Sequence, residues 1–451
     1  MMQDIPPFRD LGMFAGVGVL YAFFASLYTM PAILSVIPFK KRESKKEEIK
    51  EYESKGYEGL TTFIFKYKTP LFWSANVLAI LGIFFSLQIK IDNNPVKYFA
   101  EDTDFYQATS YIDKNIIGVN AVEFQFDSGE DNGVYSPKYL KNLERFQNYI
   151  AEHSEFAVTY VSSMVDIIKR INKTMHGDDL SYYRIPDENE LTAEGDTINA
   201  KRLIAQYLLL YQMSLPQGMS LTNQIDIRNR TSRVTAFAQS ISSSELLNNA
   251  VTMNAWIKTN IPEANAIALG VPVMFGQLMM TSIPSILMSL FVSLVLITIV
   301  LMITFKSVKI GLYSMIPNVL PIIITFGFIG ALGIEVNMSV AIVGMITLGI
   351  AVDDTVHYIT KYLRGLSEGH DQFGAIQYAF RQVAAPLIFT SVILVAGFGS
   401  LTQSDFVLNS DMALYSVIVI ILALFADFIL LPAIILKLDS PKAKEVASIT
   451  K

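Results

Sequence analysis

The sequence predicts a polytopic α-helical membrane protein with seven transmembrane helices and one external domain that mixes helices and strands. The chain has 451 residues and is 52% hydrophobic but only 17% charged, whereas soluble globular domains carry about a quarter charged residues. Its apolar residues are concentrated in seven stretches, each close to the roughly 20 residues that a helix needs to cross a hydrocarbon core. Its polar residues are concentrated between the second and third of these stretches.

The apolar stretches set the predicted domain boundaries. We expect a transmembrane helix at 1–37, a basic linker at 38–70, a transmembrane helix at 71–89, an external domain at 90–280, a bundle of five transmembrane helices at 281–438 and a tail at 439–451. The predicted spans of the bundle are Ile283–Phe305, Ile310–Leu332, Met338–Tyr362, Ala379–Leu401 and Met412–Leu436. The first stretch is too long for a signal peptide and is followed by lysines.

Lysine and arginine predict the orientation, because positively charged flanks remain in the cytoplasm. Nine basic residues lie in the 38–70 linker, whereas the loops Gly333–Asn337 and Thr402–Ser410 carry none. We therefore expect the amino terminus and residues 90–280 outside, and the linker and carboxyl terminus inside. The external domain holds 23 Asp and Glu against 16 Lys and Arg, so it carries the net negative charge.

The external domain shows the order strand, helix, strand twice. The predicted elements are the strand Ala121–Asp127, the helix Pro137–His153, the strand Phe156–Val161, helical stretches to about Met213, the strand Ser232–Gln239, the helix Ser242–Ile261 and the strand Ala266–Val273. Ser242 and Glu245 have the spacing of a capping box. This order predicts a split βαβ, ferredoxin-like sandwich with a helical insertion.

Several classes of function are excluded by composition. A net charge of −6 and the lack of a basic block with interleaved aromatics argue against nucleic-acid binding. The chain has no cysteine, which excludes disulfides, Cys-based metal sites and thiol catalysis. Phosphate-binding, zincin and hydrolase motifs are also missing, so we expect no enzyme, no catalytic residue, no metal and no cofactor. Protons remain as an energy source, worth about 2.3 kcal/mol per charge per 100 mV.

The strongest candidate site is a pair of adjacent acids, Asp353 and Asp354, inside the fifth apolar stretch. Two neighbouring carboxylates in low dielectric do not both ionise easily, so we expect the pair to take up and release a proton. His357 lies one turn beyond Asp353, where it can pair with it, and Gly349, one turn before, lets a neighbouring helix approach closely. The alternatives are a helix that ends near Val352 and leaves both acids in solvent, and an interfacial His357.

Four further polar residues in apolar stretches are candidates for the same site: Asn318, Thr390, Ser391 and Asp427. Thr and Ser alternatively bond to their own helix backbone. Asn318, between two prolines, alternatively satisfies backbone groups that the prolines free. Asp427 is a second buried acid, whose alternative role is a hydrogen bond in helix packing.

The first and last apolar stretches are similar to each other at an offset of 401 residues. Matches include Asp10 with Asp411, Phe24 with Phe425, and Pro31-Ala32-Ile33 with Pro432-Ala433-Ile434. Ser26 stands where the last stretch has Asp427. We therefore expect residues 1–37 to be the last helix of a preceding repeat, most of which is missing.

This organisation resembles the resistance–nodulation–division (RND) superfamily, and within it the MMPL-type and sterol-sensing-domain-like bacterial exporters. The motifs that carry the resemblance are G-I-A-V-D-D-T-V-H-Y from Gly349, I-P-N-V-L-P from Ile316, G-A-L-G-I-E-V-N from Gly330, F-T-S from Phe389 and A-G-F-G from Ala396. The opening Ile5–Asp10 with Pro31-Ala32 resembles the close of the first half of such proteins.

The resemblance implies a proton-driven exporter of lipid-like or amphipathic molecules in the bacterial inner membrane, with a periplasmic porter domain. Asp353 and Asp354 correspond by position to the proton relay, and Thr390 and Ser391 to its hydroxyl support. The implied partners are the substrate, protons, membrane lipids, the missing amino-terminal half and a periplasmic or outer-membrane protein. The alternatives are a lipid-sensing or sterol-sensing module that does not transport, and an accessory of a larger export complex.

Overall fold

A computed structural model describes residues 6–37, 46–91, 94–191 and 197–438. The tail 439–451, linker residues 38–45 and Ile5 of the opening motif lie outside the described residues. The helices are α1 (Pro6–Phe24), α2 (Met30–Val36), α3 (Lys46–Ser86), α4 (Asp104–Asn115), α5 (Pro137–Glu152), α6 (Met164–Met175), α7 (Ala200–Ser214), α8 (Ser243–Asn260), α9 (Val271–Thr304), α10 (Val308–Tyr313), α11 (Met315–Ala331), α12 (Met338–Ser367), α13 (Gln372–Leu401), α14 (Val407–Phe425) and α15 (Leu431–Leu438).

The strands are short and few. They are β1 (Lys90–Ile91), β2 (Asn120–Asp127), β3 (Val158–Ser163), β4 (Asn189–Leu191), β5 (Thr197–Asn199), β6 (Thr231–Ala238), β7 (Asn265–Leu269) and β8 (Glu335–Val336). Contacts divide the chain into a helical unit, residues 1–91 and 281–451, and a mixed unit, residues 92–280. The bounds of the mixed unit are close to those expected for the external domain, 90–280.

Seven helical segments among the described residues are long and apolar enough to cross a membrane. They are Gly12–Val36, Tyr57–Ser86, Val271–Thr304, Val308–Ala331, Met338–Ser367, Gln372–Leu401 and Val407–Leu438. The number agrees with the predicted seven spans.

No helix boundary marks the expected junction between the basic linker and the second span, because α3 runs without a break from Lys46 to Ser86. Residues 46–56 are rich in Lys and Glu, which are good helix formers. Pro70 lies inside α3 and does not end it. The apolar part of this helix, Tyr57–Ser86, is therefore longer than the span predicted at 71–89.

Close packing of α3 against α11 depends on three glycines. A Cβ on Gly327 would lie 2.5 Å from the Cα of Gly82, and one on Gly330 would collide with the backbone carbonyl oxygen of Phe85. No helix among the described residues approaches Gly349, since a Cβ there would meet no atom within 4 Å. Small residues do let membrane helices approach closely, but here they do so on α3 and α11.

The first and last membrane-crossing segments have the same subdivisions at the 401-residue offset. A π-helical segment, Ala25–Thr29, joins α1 to α2, and another, Ala426–Leu430, joins α14 to α15. In each, an N–H five residues on, from Met30 or Leu431, donates to the carbonyl of the first residue. The similarity of the two stretches therefore extends to a rare backbone feature.

The mixed unit is built on a four-stranded sheet in the order β3-β6-β2-β7, in which all neighbours are antiparallel. Helix α5 connects β2 to β3, and α8 connects β6 to β7. Its core includes Phe124, Phe126, Phe146 and Ile257, all less than 2% exposed. The two predicted strand–helix–strand units are therefore present, and each strand of one pairs with a strand of the other.

Two details of the mixed unit differ from the predictions. The strand expected at Ala266–Val273 ends at Leu269, because Gly270 has a φ of 109° and turns the chain into α9. The insertion between β3 and β6 contains α6 and α7, and also the small β4–β5 sheet that the sequence did not predict. Ser242 caps α8 as expected, since its Oγ accepts from the N–H of Glu245 at 3.1 Å.

An ion pair closes the end of the central strands β2 and β6. The Arg230 guanidinium donates to both carboxylate oxygens of Asp127, at 2.8 and 3.0 Å. These hydrogen bonds, with a further one from the Gly129 N–H, lower the pKa of Asp127. The pair therefore stabilises the fold when Asp127 is ionised.

We expect Gly330→Ala to destabilise the helical unit by about 1–3 kcal/mol, the usual cost of forced overpacking, because the added Cβ collides with the Phe85 carbonyl. Gly349→Ala is the matched control, since its Cβ enters open space. Unfolding midpoints in detergent measure both. Equal stability of the two variants would contradict the proposed close contact.

We expect Asp127→Asn to destabilise the mixed unit at pH 7 and to lose this effect in acid. Because the folded pKa lies below the ordinary value, the ion pair contributes fully above about pH 5, and the contribution disappears as the pH falls below about 4 through the folded pKa. Amide exchange in β2, compared with wild type at each pH, measures the difference. The exposed Glu152→Gln should show none; a difference that persists in acid would exclude the pair as its cause.

Candidate functional site

The two adjacent acids lie in the middle of α12, which continues to Ser367. The alternative of a helix that ends near Val352 is therefore wrong. Neighbouring helix positions point about 100° apart, and the packing of α12 separates the two acids accordingly. The Asp353 side chain is 75% exposed, Asp354 is half-buried, and the next residue, Thr355, is fully buried.

Asp353 pairs with His357 on the outer face of α12. The His357 Nε2 lies 3.6 Å from an Asp353 carboxylate oxygen, and both side chains are more than half exposed. The predicted pairing one turn apart is thus present in the geometry. Asp353 and His357 do not enter the interior of the helical unit, so the two acids do not form one buried site.

The buried polar site of the helical unit is formed by Asn318, Thr355 and Asp427, which come from α11, α12 and the π-helical segment after α14. Each is at most 1% exposed. The Thr355 hydroxyl oxygen lies 2.9 Å from Asn318 Oδ1 and 2.7 Å from Asp427 Oδ1. We call this set the three-helix cluster. It joins three sequence-distant segments through one hydroxyl group.

Two members of the three-helix cluster were predicted site residues, and the structure defines their contacts. Asn318 also donates from Nδ2 to the carbonyl of Ser314, four residues before it, at 2.7 Å. The second carboxylate oxygen of Asp427 is buried and has no hydrogen-bond partner among the described residues.

Sequence reasoning missed Thr355, although a signal was available. Residues Leu348, Ala351, Thr355, Tyr358 and Tyr362 form a buried stripe on α12 at spacings of three and four, the period of a helix face. A threonine hydroxyl on a stripe of otherwise aliphatic and aromatic residues requires a partner on a neighbouring helix or on its own backbone.

The hydroxyls of α13 do not join the acids. Thr390 is exposed, and its hydroxyl donates to the carbonyl of Leu387 in its own helix at 3.0 Å. This contact is the one that the alternative for Thr390 predicted. Ser391 is buried. Among the described residues, no group of three or more His, Asp or Glu could hold a metal ion.

In a comparison with known proteins, residues 236–442 match the MMPL family. A protein of the archaeon Methanocaldococcus jannaschii, whose name identifies it only as a membrane protein, is 26% identical over 144 residues. This alignment covers 32% of the chain and 37% of the archaeal protein. The family match begins in β6 and ends beyond α15, so it includes the three-helix cluster and both acids of α12.

We expect Thr355→Val to destabilise the helical unit by on the order of 1–2 kcal/mol, because it removes the hydroxyl that contacts both other members of the cluster. Thr355→Ser should restore most of the loss. Thr360→Val is the matched control on the same helix, since the exposed Thr360 bonds only to the Val356 carbonyl. Unfolding in mixed micelles measures all three; equal effects at positions 355 and 360 would refute the bridging role.

Proposed function

We propose, from the membership of residues 236–442 in the MMPL family, that the chain is part of a proton-driven exporter of lipid-like or amphipathic molecules. The observation that carries the proposal is the placement of acids inside an otherwise apolar helical unit. Asp354 is half-buried in the middle of α12, and Asp427 is buried beside the same helix. A charged side chain at the bilayer centre costs about 3 kcal/mol or more, so such acids usually serve a pathway for ions or protons.

Asp354 is the better candidate for the proton relay than Asp353. It lies next to Thr355 in the chain and faces partly inward, whereas Asp353 faces outward with His357. We propose that Asp353 and His357 lie against a second six-helix unit, as the two-half architecture of RND proteins implies, because a carboxylate facing hydrocarbon would be costly.

The mixed unit is proposed to be a ferredoxin-like periplasmic porter domain. Its strand order and its two strand–helix–strand units support the ferredoxin-like assignment, and the distribution of basic residues supports an external location. The carboxyl terminus would then lie in the cytoplasm of a bacterial cell, with the helices in the inner membrane.

A cavity in the mixed unit fits the proposed class of substrate. It has a volume of about 590 Å³ and lies between β3, α6 and α7. Tyr160, Leu210 and Tyr211 give it an apolar wall, and Arg170 adds a positive charge. Asp166 also lines the cavity, but its carboxylate accepts hydrogen bonds from Gln147 and the Ser163 N–H. Tyr160 is 49% exposed where it lines this cavity. An amphipathic molecule with an anionic head group would match both parts.

Proton flux tests the transport proposal and separates it from a lipid-sensing module, which needs none. We expect Asp354→Asn to reduce proton uptake into proteoliposomes, under an imposed potential, at least tenfold, because an amide cannot carry the proton. Asp353→Asn combined with Asp354→Asn should abolish it without loss of membrane insertion. Glu368→Gln, an exposed acid at the end of α12, is the control. Unchanged flux in the double variant would exclude these acids as the relay.

A fluorescent fatty-acid analogue tests the cavity. We expect Arg170→Gln to weaken its binding by about 2–5-fold, the effect of about 0.4–1 kcal/mol from one exposed charge. Arg145→Gln, an exposed arginine of α5 that does not line the cavity, should bind as wild type does. Binding that is equal in both variants would place the analogue elsewhere.

A further inference from the structure

The three-helix cluster contains two short oxygen–oxygen contacts, but the Thr355 hydroxyl supplies only one hydrogen atom for them. Three oxygens, Asn318 Oδ1, Thr355 Oγ1 and Asp427 Oδ1, are linked by contacts of 2.9 and 2.7 Å. Both distances are in the range of O–H···O hydrogen bonds. Each such contact needs one hydrogen between its two oxygens.

The orientation of the Asn318 amide is set by its other contact. Of the two terminal atoms of this amide, the one that does not contact Thr355 lies 2.7 Å from the carbonyl oxygen of Ser314. A carbonyl oxygen can only accept a hydrogen bond. That atom must therefore be the amide nitrogen, and the amide oxygen must face Thr355. Asn318 then supplies no hydrogen to the contact with Thr355.

The hydroxyl of Thr355 carries one hydrogen and cannot donate to Asn318 and Asp427 at once. The second hydrogen has one remaining place, the carboxyl of Asp427. In that arrangement Asp427 donates to Thr355, and Thr355 donates to Asn318. Both contacts are then satisfied, in a chain with a single direction.

An ionised Asp427 does not fit its surroundings. Its carboxyl group is about 1% exposed, one oxygen has no hydrogen-bond partner among the described residues, and none of the ion pairs among those residues includes it. Lys437, the basic residue closest to it in sequence, instead lies over the rings of Phe72 and Trp73. A buried charge without a cation or full hydrogen bonding strongly destabilises a folded protein.

The groups that face Asp427 from the other elements are neutral or acidic. From α12 come Asp354 and Tyr358, both close enough for electrostatic interaction with Asp427. From α11 comes Asn318. Helix α3 packs beside the π-helical segment through Phe72, Ala75 and Ala79, which share an apolar cluster with Ala426 and Leu430. None of these groups compensates a negative charge on Asp427.

We propose that Asp427 is a proton-binding site, and that its proton controls the contact between α11 and α12. With the proton bound, the chain Asp427 to Thr355 to Asn318 joins three helical segments. When Asp427 releases the proton, its carboxylate can only accept, so the Thr355 hydroxyl turns to it and the hydrogen bond to Asn318 is lost. The proton leaves to water, and Asp354, half-buried beside Thr355, is the carboxyl that can take it first.

The π-helical turn around Asp427 is common to both similar stretches, whereas the acid itself is present in only one of them. The π-helical segment occurs at the same offset in both similar stretches, but the first has Ser26 where the second has Asp427. The acid is therefore not required to form the π-helical turn. Such turns occur often at functional sites.

Infrared spectroscopy of the full chain in lipid nanodiscs tests the proposal, because a protonated carboxyl group has its own carbonyl stretching band. We expect this band in wild type and in the control Asp353→Asn, and its loss in Asp427→Asn, whose amide can still donate to Thr355 and preserve the fold. Thr355→Val should keep the band but shift it, since the hydrogen bond is lost. On raising the pH, the wild-type band should be replaced by carboxylate bands.

Three results would overturn the proposal. They are a wild-type spectrum without the band, as a bound sodium ion in place of the proton would give; a band that is unchanged in Asp427→Asn; and a band that persists up to the pH of unfolding, which would make the proton a fixed structural one. The inference rests on the proposed transport only for its use of this proton. A chain with a titrating Asp427 band but no proton flux would refute transport and leave the site standing.

Discussion

The interior of the helical unit depends on one hydroxyl group, that of Thr355. This hydroxyl lies between Asn318 and Asp427 and contacts both of them. Three helical segments that are far apart in sequence therefore share one polar site. In an apolar environment an unsatisfied oxygen or an unpaired charge is costly. The positions of α11, α12 and the last membrane segment are therefore coupled, because a shift of any one of them breaks a short contact.

A second constraint acts beside the polar one and is purely steric. Glycines on α3 and α11 bring the two backbones together so closely that no side chain fits between them. The same α11 carries Asn318 on its buried surface. Helix α11 is thus held by backbone packing on one side and by a hydrogen bond on the other. Proton-dependent loss of the hydrogen bond would leave the steric contact in place.

Local patterns were sufficient for most of the fold. Seven apolar stretches predicted seven membrane-crossing helices, and alternation with Ser242 as a cap predicted β2, β6 and α8 within one or two residues. The predictions of where an element begins or ends were wrong in two places. In one a single residue ends the element, and in the other no residue interrupts the helix. Gly270 ended β7 early, and nothing in the charged stretch before Tyr57 stopped α3 from extending through it.

The site was predicted less completely. Sequence identified α12 and its acids, and it named Asn318 and Asp427 as buried polar groups, because an ionisable or amide side chain within an apolar stretch is visible without coordinates. Which face each residue occupies depends on how the helix is rotated against its neighbours. This rotation separated Asp353 from Asp354, left Gly349 in open space and Thr390 on its own backbone, and brought Thr355 into the centre.

The amino-acid sequence alone determined the membrane character, the number of spans, the mixed unit and the 401-residue similarity, since each follows from composition or from patterns within one segment. The tertiary structure decided which polar groups meet, because contacts between residues 318, 355 and 427 depend on the packing of whole helices. It also revealed the shared π-helical segment, whose hydrogen bonds no residue pattern had indicated.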